Sequence, residues 1–192
     1  MANVDRVFGF RPIGHTNGSP WNGKVTKYAI LAADGTATFV GDLVKLSGTA
    51  DADGVASVAQ AAATNVPVGP IVWMEPNPDN LSQAHRPAST LRYVYVADSP
   101  DLVMECQEDA VGGALAITNV GQNADIVVAA GSTTTGQSGM ELDSSTANTT
   151  STLVLRILGF MQRPDNEVGV ANAKMKVAFN VHQYGSVGTT GI

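Results

Sequence analysis

The chain has 192 residues, is 44% hydrophobic and only 6% aromatic, and carries a formal net charge of −6. That length can bury a core without disulfides or metals, and an acidic chain with no run of Lys and Arg excludes sustained contact with phosphate backbones, so no nucleic-acid partner is expected. Met1–Arg6 lacks the apolar stretch of a secretory signal and no apolar run reaches the ~18–20 residues of a span, so synthesis in a cytoplasm and no membrane partner are expected.

Residues 1–23 have almost no periodicity and are broken by Gly9, Pro12, Gly14, Gly18 and Pro20, yet they carry Phe8, Phe10 and Trp21. Two readings are open: an extended arm with aromatic anchors that orders against a neighbour, or a strand capping its own domain. Lys24–Leu31 alternates as a strand and ends at Asp34-Gly35, a hairpin signal. Thr38–Leu46 is a second strand, interrupted by Gly41-Asp42. Asp51-Ala52-Asp53-Gly54 is a turn before Val55–Ala59, and Val66–Met74 follows, with Pro67 and Pro70 favouring an edge or a bulge. Glu75–Ser89, with three prolines, reads as a long surface loop.

Leu91–Ala97 sets Tyr93 and Tyr95 on one face and Val94 and Val96 on the other. Leu102–Gln107 is a shorter strand, a single helical turn falls near Leu115–Val120, and Ile126–Ala130 is a short apolar strand. Gly131–Thr150 is rich in Ser, Thr and Gly and reads as an exposed loop or wandering hairpin. Leu153–Met161 is the most apolar strand. Lys174–His182 has the cleanest period of two, with Met175, Val177, Phe179 and Val181 on one face. About nine short strands without an amphipathic helix predict an all-β fold, an antiparallel sandwich or barrel. The expected organisation is an extended N-terminal arm over 1–23, a β body over 24–183 and a flexible C-terminal tail over 184–192.

A search for chemistry yields little. Gly136-Gln137-Ser138-Gly139-Met140 departs from a nucleophile elbow in its last residue and sits in a polar loop. His15, His85 and His182 have no second histidine at metal spacing. Asp51 and Asp53 open like a calcium loop, but the twelfth position is Ala62. Gly112-Gly113 lacks the lysine of a phosphate-binding loop. Glu105, Glu108 and Asp109 read as a solvated strand end, and the single cysteine, Cys106, as a small apolar strand residue. The Asn-x-Ser/Thr triplets at Asn17, Asn80 and Asn148 carry no glycosylation meaning in a cytoplasmic product. No catalytic residue, cofactor or metal is expected.

Several strings carry a resemblance: Met1-Ala2-Asn3-Val4-Asp5-Arg6, Phe8-Gly9-Phe10-Arg11-Pro12, and Gly18-Ser19-Pro20-Trp21-Asn22-Gly23. Phe39-Val40-Gly41-Asp42, Arg86-Pro87-Ala88-Ser89, Val96-Ala97-Asp98-Ser99-Pro100-Asp101 and Arg163-Pro164-Asp165-Asn166-Glu167 extend it over most of the chain. In these the sequence resembles the head-decorating, or cement, proteins of tailed bacteriophages. The resemblance implies a structural protein on the outside of the virion head. It would be a homotrimer at three-fold and quasi-three-fold positions, bridging neighbouring copies of the major capsid protein against internal pressure. The residues assigned to that interface are Phe8, Phe10, Arg11, Pro12 and Trp21, because buried aromatics and arginine dominate interface energies. Deletion of 1–23 is expected to leave a folded body that no longer binds capsids.

Other readings remain open. Trp73, Tyr93 and Tyr95 are candidates for a sugar-stacking surface of a carbohydrate-binding module. A tail-tube or head-completion protein is a further alternative within the virion.

Overall fold

A computed structural model of the chain describes residues 3–185 and residue 191. The chain is all-β, with twelve strands and two single turns of 3-10 helix, Ile117–Asn119 and Ser144–Thr146, among the described residues. The expected all-β class holds, with a closed barrel and an open antiparallel sheet sharing the chain.

The barrel is made by β2 (Thr26–Ile30), β3 (Leu43–Ala50), β4 (Ala56–Gln60), β5 (Gly69–Met74) and β6 (Arg92–Val96). Their order is β2-β4-β3-β5-β6, closed between β6 and β2. One contact is parallel, Ala29 opposite Ser57 between β2 and β4, and the other pairs are antiparallel. Strand alternation fills the interior with Ile30, Val44, Val58, Ile71, Val94 and Val96. The expected alternation on β6 holds, with Val94 and Val96 inside and Tyr93 and Tyr95 outside.

The open sheet has the order β1-β7-β12-β11-β8 and is antiparallel throughout. Its members are β1 (Arg11–His15), β7 (Leu102–Gln107), β12 (Lys174–Phe179), β11 (Leu155–Phe160) and the short β8 (Asn123–Ala124). Two further short strands, β9 (Ile126–Val127) and β10 (Glu141–Leu142), pair with each other. Leu102, Met104 and Cys106 on β7, Met175 and Val177 on β12, and Leu155 and Ile157 on β11 form a second core. Phe10, Ile126, Met140 and Leu142 belong to the same cluster, as does Leu43 from the barrel, so the two layers join through one apolar volume.

Three sequence expectations change. The segment 1–23 is not free of the body where it is described: Arg11–His15 pairs with β7, and Phe8 and Phe10 are 7% and 1% exposed. Of the two open readings, the strand capping its own domain is the one seen for this segment, and Pro12 with a register shift between Pro12 and Gly14 breaks the period that would have decided between them. Asp34-Gly35 does not close a hairpin, because β2 finds β4 and β6 as neighbours and not β3. The third change is in Gly131–Thr150, which is not merely an exposed loop, since Met140 and Leu142 are fully buried. Gly139 allows that approach: a Cβ there would lie 2.4 Å from the carbonyl oxygen of Ala130. The tail expected over 184–192 falls mostly outside the described residues.

A buried arginine fastens the long loop after β5. Arg86 is fully enclosed, and its guanidinium donates to the carbonyls of Thr90 (2.7 Å), Thr36 (2.5 Å), Leu31 (2.8 Å) and Asp34 (2.9 Å). Its own backbone exchanges two hydrogen bonds of 2.9 Å with Thr38. The loop is thereby tied to the segment between β2 and β3. Burial holds the Arg86 guanidinium below its ordinary range, offset by the nearby Asp34 carboxylate.

Candidate binding surface

The N-terminal segment crosses the barrel where Gly9 meets Gly41. Gly9 has φ +73°, and a Cβ there would lie 2.5 Å from Ser138 Cβ and 2.7 Å from the Gly41 carbonyl oxygen. With no side chain in the way, the Phe10 N–H donates to that carbonyl at 2.9 Å. Beyond β1, the His15 N–H donates to the Ser19 carbonyl at 2.9 Å, and Gly14 bridges Pro20. This reversal brings Trp21 back beside Pro12, so that both wall the same cleft.

The result is an apolar cleft of about 290 Å³ that includes Phe8, Phe10, Arg11, Pro12 and Trp21 in its walls. All five sequence-derived interface candidates therefore meet at one place. They do not contribute equally. Phe8 and Phe10 are mostly consumed by the protein's own packing, Pro12 and Trp21 are half-buried, and Arg11 is exposed. The Trp21 indole N–H is enclosed and has no hydrogen-bond partner among the described residues.

Phe8 and Arg11 also wall a second cleft, of about 380 Å³, with Arg6, Glu105, Arg163 and Lys174. Four of the chain's 11 basic residues converge there. Arg163 pairs with the buried Glu105 through two guanidinium nitrogens, and Lys174 Nζ lies 2.5 Å from Asp165. That lysine, followed by Arg163, holds the Asp165 carboxyl below its usual range. Arg6 and Arg11 are exposed and make no ion pair among the described residues, although Arg11 stacks on Phe8. The Arg6 segment is held down by β7: the Arg6 N–H donates to the Gln107 side-chain oxygen at 3.0 Å.

The remaining candidate residues are dispersed. Ser138 is buried and accepts from the Met140 N–H at 2.9 Å, His15 contacts Asp101 at 3.0 Å, and His182 Nε2 lies 2.7 Å from the Val68 carbonyl oxygen. His85 stacks on Phe39, with centroids 5.1 Å apart. Asp51 organises its turn by accepting from the N–H groups of Asp53 and Val55. No group of three or more His, Cys, Asp or Glu side chains among the described residues is placed to hold a metal. Among those residues no helix is long and apolar enough to cross a membrane.

On the outside of the barrel, Trp73 on β5 is opposite Tyr95 on β6, with ring centroids 4.9 Å apart. Lys27 Nζ lies 3.8 Å from the centre of the Tyr93 ring and 3.0 Å from Glu75. The hydroxyls of Tyr93 and Tyr95 donate to Asp51 and Glu75. Tyr93 and Tyr95 are thus engaged by the protein itself, while Trp73 stays half-exposed.

A carboxylate group near β10 was not legible as a unit. Burial, followed by repulsion from Asp5, Asp109 and Glu108, pushes the Glu141 carboxyl up to about 7. Glu105 and Glu108 are buried and not the solvated strand end expected from the sequence; burial raises Glu108, whose Oε2 is enclosed without a hydrogen-bond partner among the described residues. Arg6, Arg163 and Lys174 were missed for a similar reason. They stand singly in the sequence, and the docking of the Arg6 segment and of the β11–β12 connection on either side of β7 assembles them. No family model matches the chain, and no curated protein or solved structure matches it.

Proposed function

We propose that the protein is a structural component of a tailed-bacteriophage head, binding the outside of the shell and cementing neighbouring major capsid subunits. The observation that carries this reading is the convergence of Phe8, Phe10, Arg11, Pro12 and Trp21 on one cleft of a rigid β body. Those residues belong to the strings in which the chain resembles cement proteins. An apolar anchor site with an exposed arginine in its wall has the composition of an interface centre. Copies arranged as homotrimers would present several such sites to a repeating lattice, where contacts reinforce one another through effective concentration.

The test is co-sedimentation of the purified chain with expanded, undecorated shells. Saturable binding at a fixed copy number, weakened by Trp21→Ala in a variant of unchanged fold, is the expected result. Failure to bind at any shell concentration, or equal binding by that variant, overturns the reading.

A carbohydrate-binding role is the second reading, favoured by the half-exposed Trp73 beside Tyr95. A glycan array giving a clean hit that disappears in Trp73→Ala would favour it over the first.

A further inference from the structure

We propose that the apolar and cationic clefts form one docking groove for an extended segment of a partner protein, with an acidic residue close to a large apolar one. The proposal rests on the reading of the protein as a holder of partner chains and specifies what it holds.

Charge is the first argument. The cationic cleft brings Arg6, Arg11, Arg163 and Lys174 against Glu105 and Asp165, an excess of two positive charges on a chain of net charge −6. Glu105 and Asp165 are already taken by Arg163 and Lys174. Arg6 and Arg11 are left, both exposed and neither in an ion pair among the described residues. Two guanidinium groups on one rim suit a carboxylate, which each can hold through paired N–H donors.

Continuity is the second argument. Phe8 and Arg11 belong to both clefts, so the cationic site and the apolar site adjoin across a single stacked pair. On an extended peptide, residues i and i+2 point the same way about 7 Å apart. Such a peptide would place its carboxylate at Arg6 and Arg11 and its apolar side chain between Pro12 and Trp21. The apolar cleft has room for one large side chain at about 290 Å³. The reverse arrangement, a basic residue beside an apolar one, meets repulsion at the rim.

The experiment uses the full chain, labelled, on an array of short synthetic peptides. The array varies two positions two residues apart through all amino acids in a Ser/Gly background. The expected signal concentrates on Asp or Glu at one position and Leu, Phe or Trp at the other. It falls at least tenfold for the variant carrying Arg6→Glu and Arg11→Glu, and is retained only in part when both are changed to Lys, which keeps the charge and loses the paired donors. Melting temperatures equal to that of the parent establish that these variants fold. In a Trp73→Phe background Trp21 is the sole indole, so its emission should shift on titration with the best peptide. A silent array, a preference for basic peptides, or equal binding by the charge-reversed variant overturns the proposal. Concentration-dependent dimers that the same reversal abolishes would overturn it in favour of a second copy of this chain. Shell binding with a silent array leaves the cement reading standing and removes this one, and peptide selection without shell binding does the opposite.

Discussion

The Arg11 guanidinium lies over the Phe8 ring, 4.3 Å from its centroid, and the two residues together form the partition between an apolar and a cationic cleft. One of them is buried and the other exposed, so their removal should have different consequences. Arg11→Ala should cost only about 0.5–1 kcal/mol of stability, the worth of an exposed cation–π contact, while weakening attachment to a partner. Denaturant unfolding of the variant beside a binding assay checks this, and a stability loss several times larger would make Arg11 a structural residue.

Phe10 should behave in the opposite way. It is 1% exposed and packs in the core shared by the sheet and the barrel. Phe10→Ala should destabilise the chain by roughly 3–5 kcal/mol, the usual cost of emptying a buried aromatic site. For the same reason, deletion of residues 1–23 should unfold the body, since it removes β1 along with two core phenylalanines. This replaces the expectation from sequence that the body would survive such a deletion. A sharp calorimetric transition in the truncated chain near the parent's melting temperature would contradict the packing described.

Arg86 should be irreplaceable by lysine. Four carbonyls receive its planar guanidinium from different directions, and an ammonium group cannot reproduce that fork. Arg86→Met should cost about 3 kcal/mol, because four partly buried carbonyls lose a shared, enclosed cationic donor, and Arg86→Lys should recover only part of it. Proteolysis is the second readout: both variants should be cut in the 75–91 loop well before the parent.

Stability should decline on the alkaline side of a weakly acidic optimum. The Glu141 carboxyl is raised from 4.5 to about 7, so the folded chain holds that proton more tightly than the unfolded chain. Stability from this group is therefore greatest below about 4.5 and is lost as pH rises towards about 7. Glu108, Asp42 and Asp125 are raised by burial and act in the same sense. Asp101, lowered first by the Ser99 hydroxyl and then by His15, acts in the opposite sense and loses its contribution only at strongly acidic pH. Glu141→Gln should stabilise the protein by about 1 kcal/mol above neutrality, after allowing for solvent screening of a half-buried group, and should flatten the melting profile between pH 5 and 7. An unchanged profile would mean that these carboxylates are not coupled to folding.

Cys106 should be silent in the native state. Its thiol is fully buried on β7 and pushed well above its ordinary value by that burial. A thiol reagent should therefore modify it only at the rate of unfolding. Rapid labelling of the folded protein would show that β7 is more open than its packing implies.

The sequence was most legible where the two faces of a strand differ chemically. Val94 and Val96 against Tyr93 and Tyr95, and Met175 and Val177 against Lys174 and Lys176, announce their strands by alternation alone. It was least legible where a strand is very short, as with β8 and β10, or carries a bulge and a proline, as with β1. That Phe8, Phe10, Arg11, Pro12 and Trp21 stand out together was legible because three of them are aromatic in a chain with few aromatic residues. The cationic cleft was not legible, because Glu105 meets Arg163 and Lys174 only through the antiparallel pairing of β12 with β7, which is remote in sequence. No local spacing encodes that meeting, nor the closure of the barrel through β2 and β6.

That closure also bears on what happens when many copies crowd together. A cylinder of strands has no first or last member, and although its β2–β4 and β3–β5 seams are short, it offers fewer unpaired N–H and C=O groups to another molecule than the same strands would in an open sheet. In the open sheet the outermost β1 is short, contains Pro12 and is folded back upon by Gly14 and Pro20, while β8 at the far side has only two residues. Copies held at high local density should accordingly meet through side chains and not zip into fibrils through their backbones.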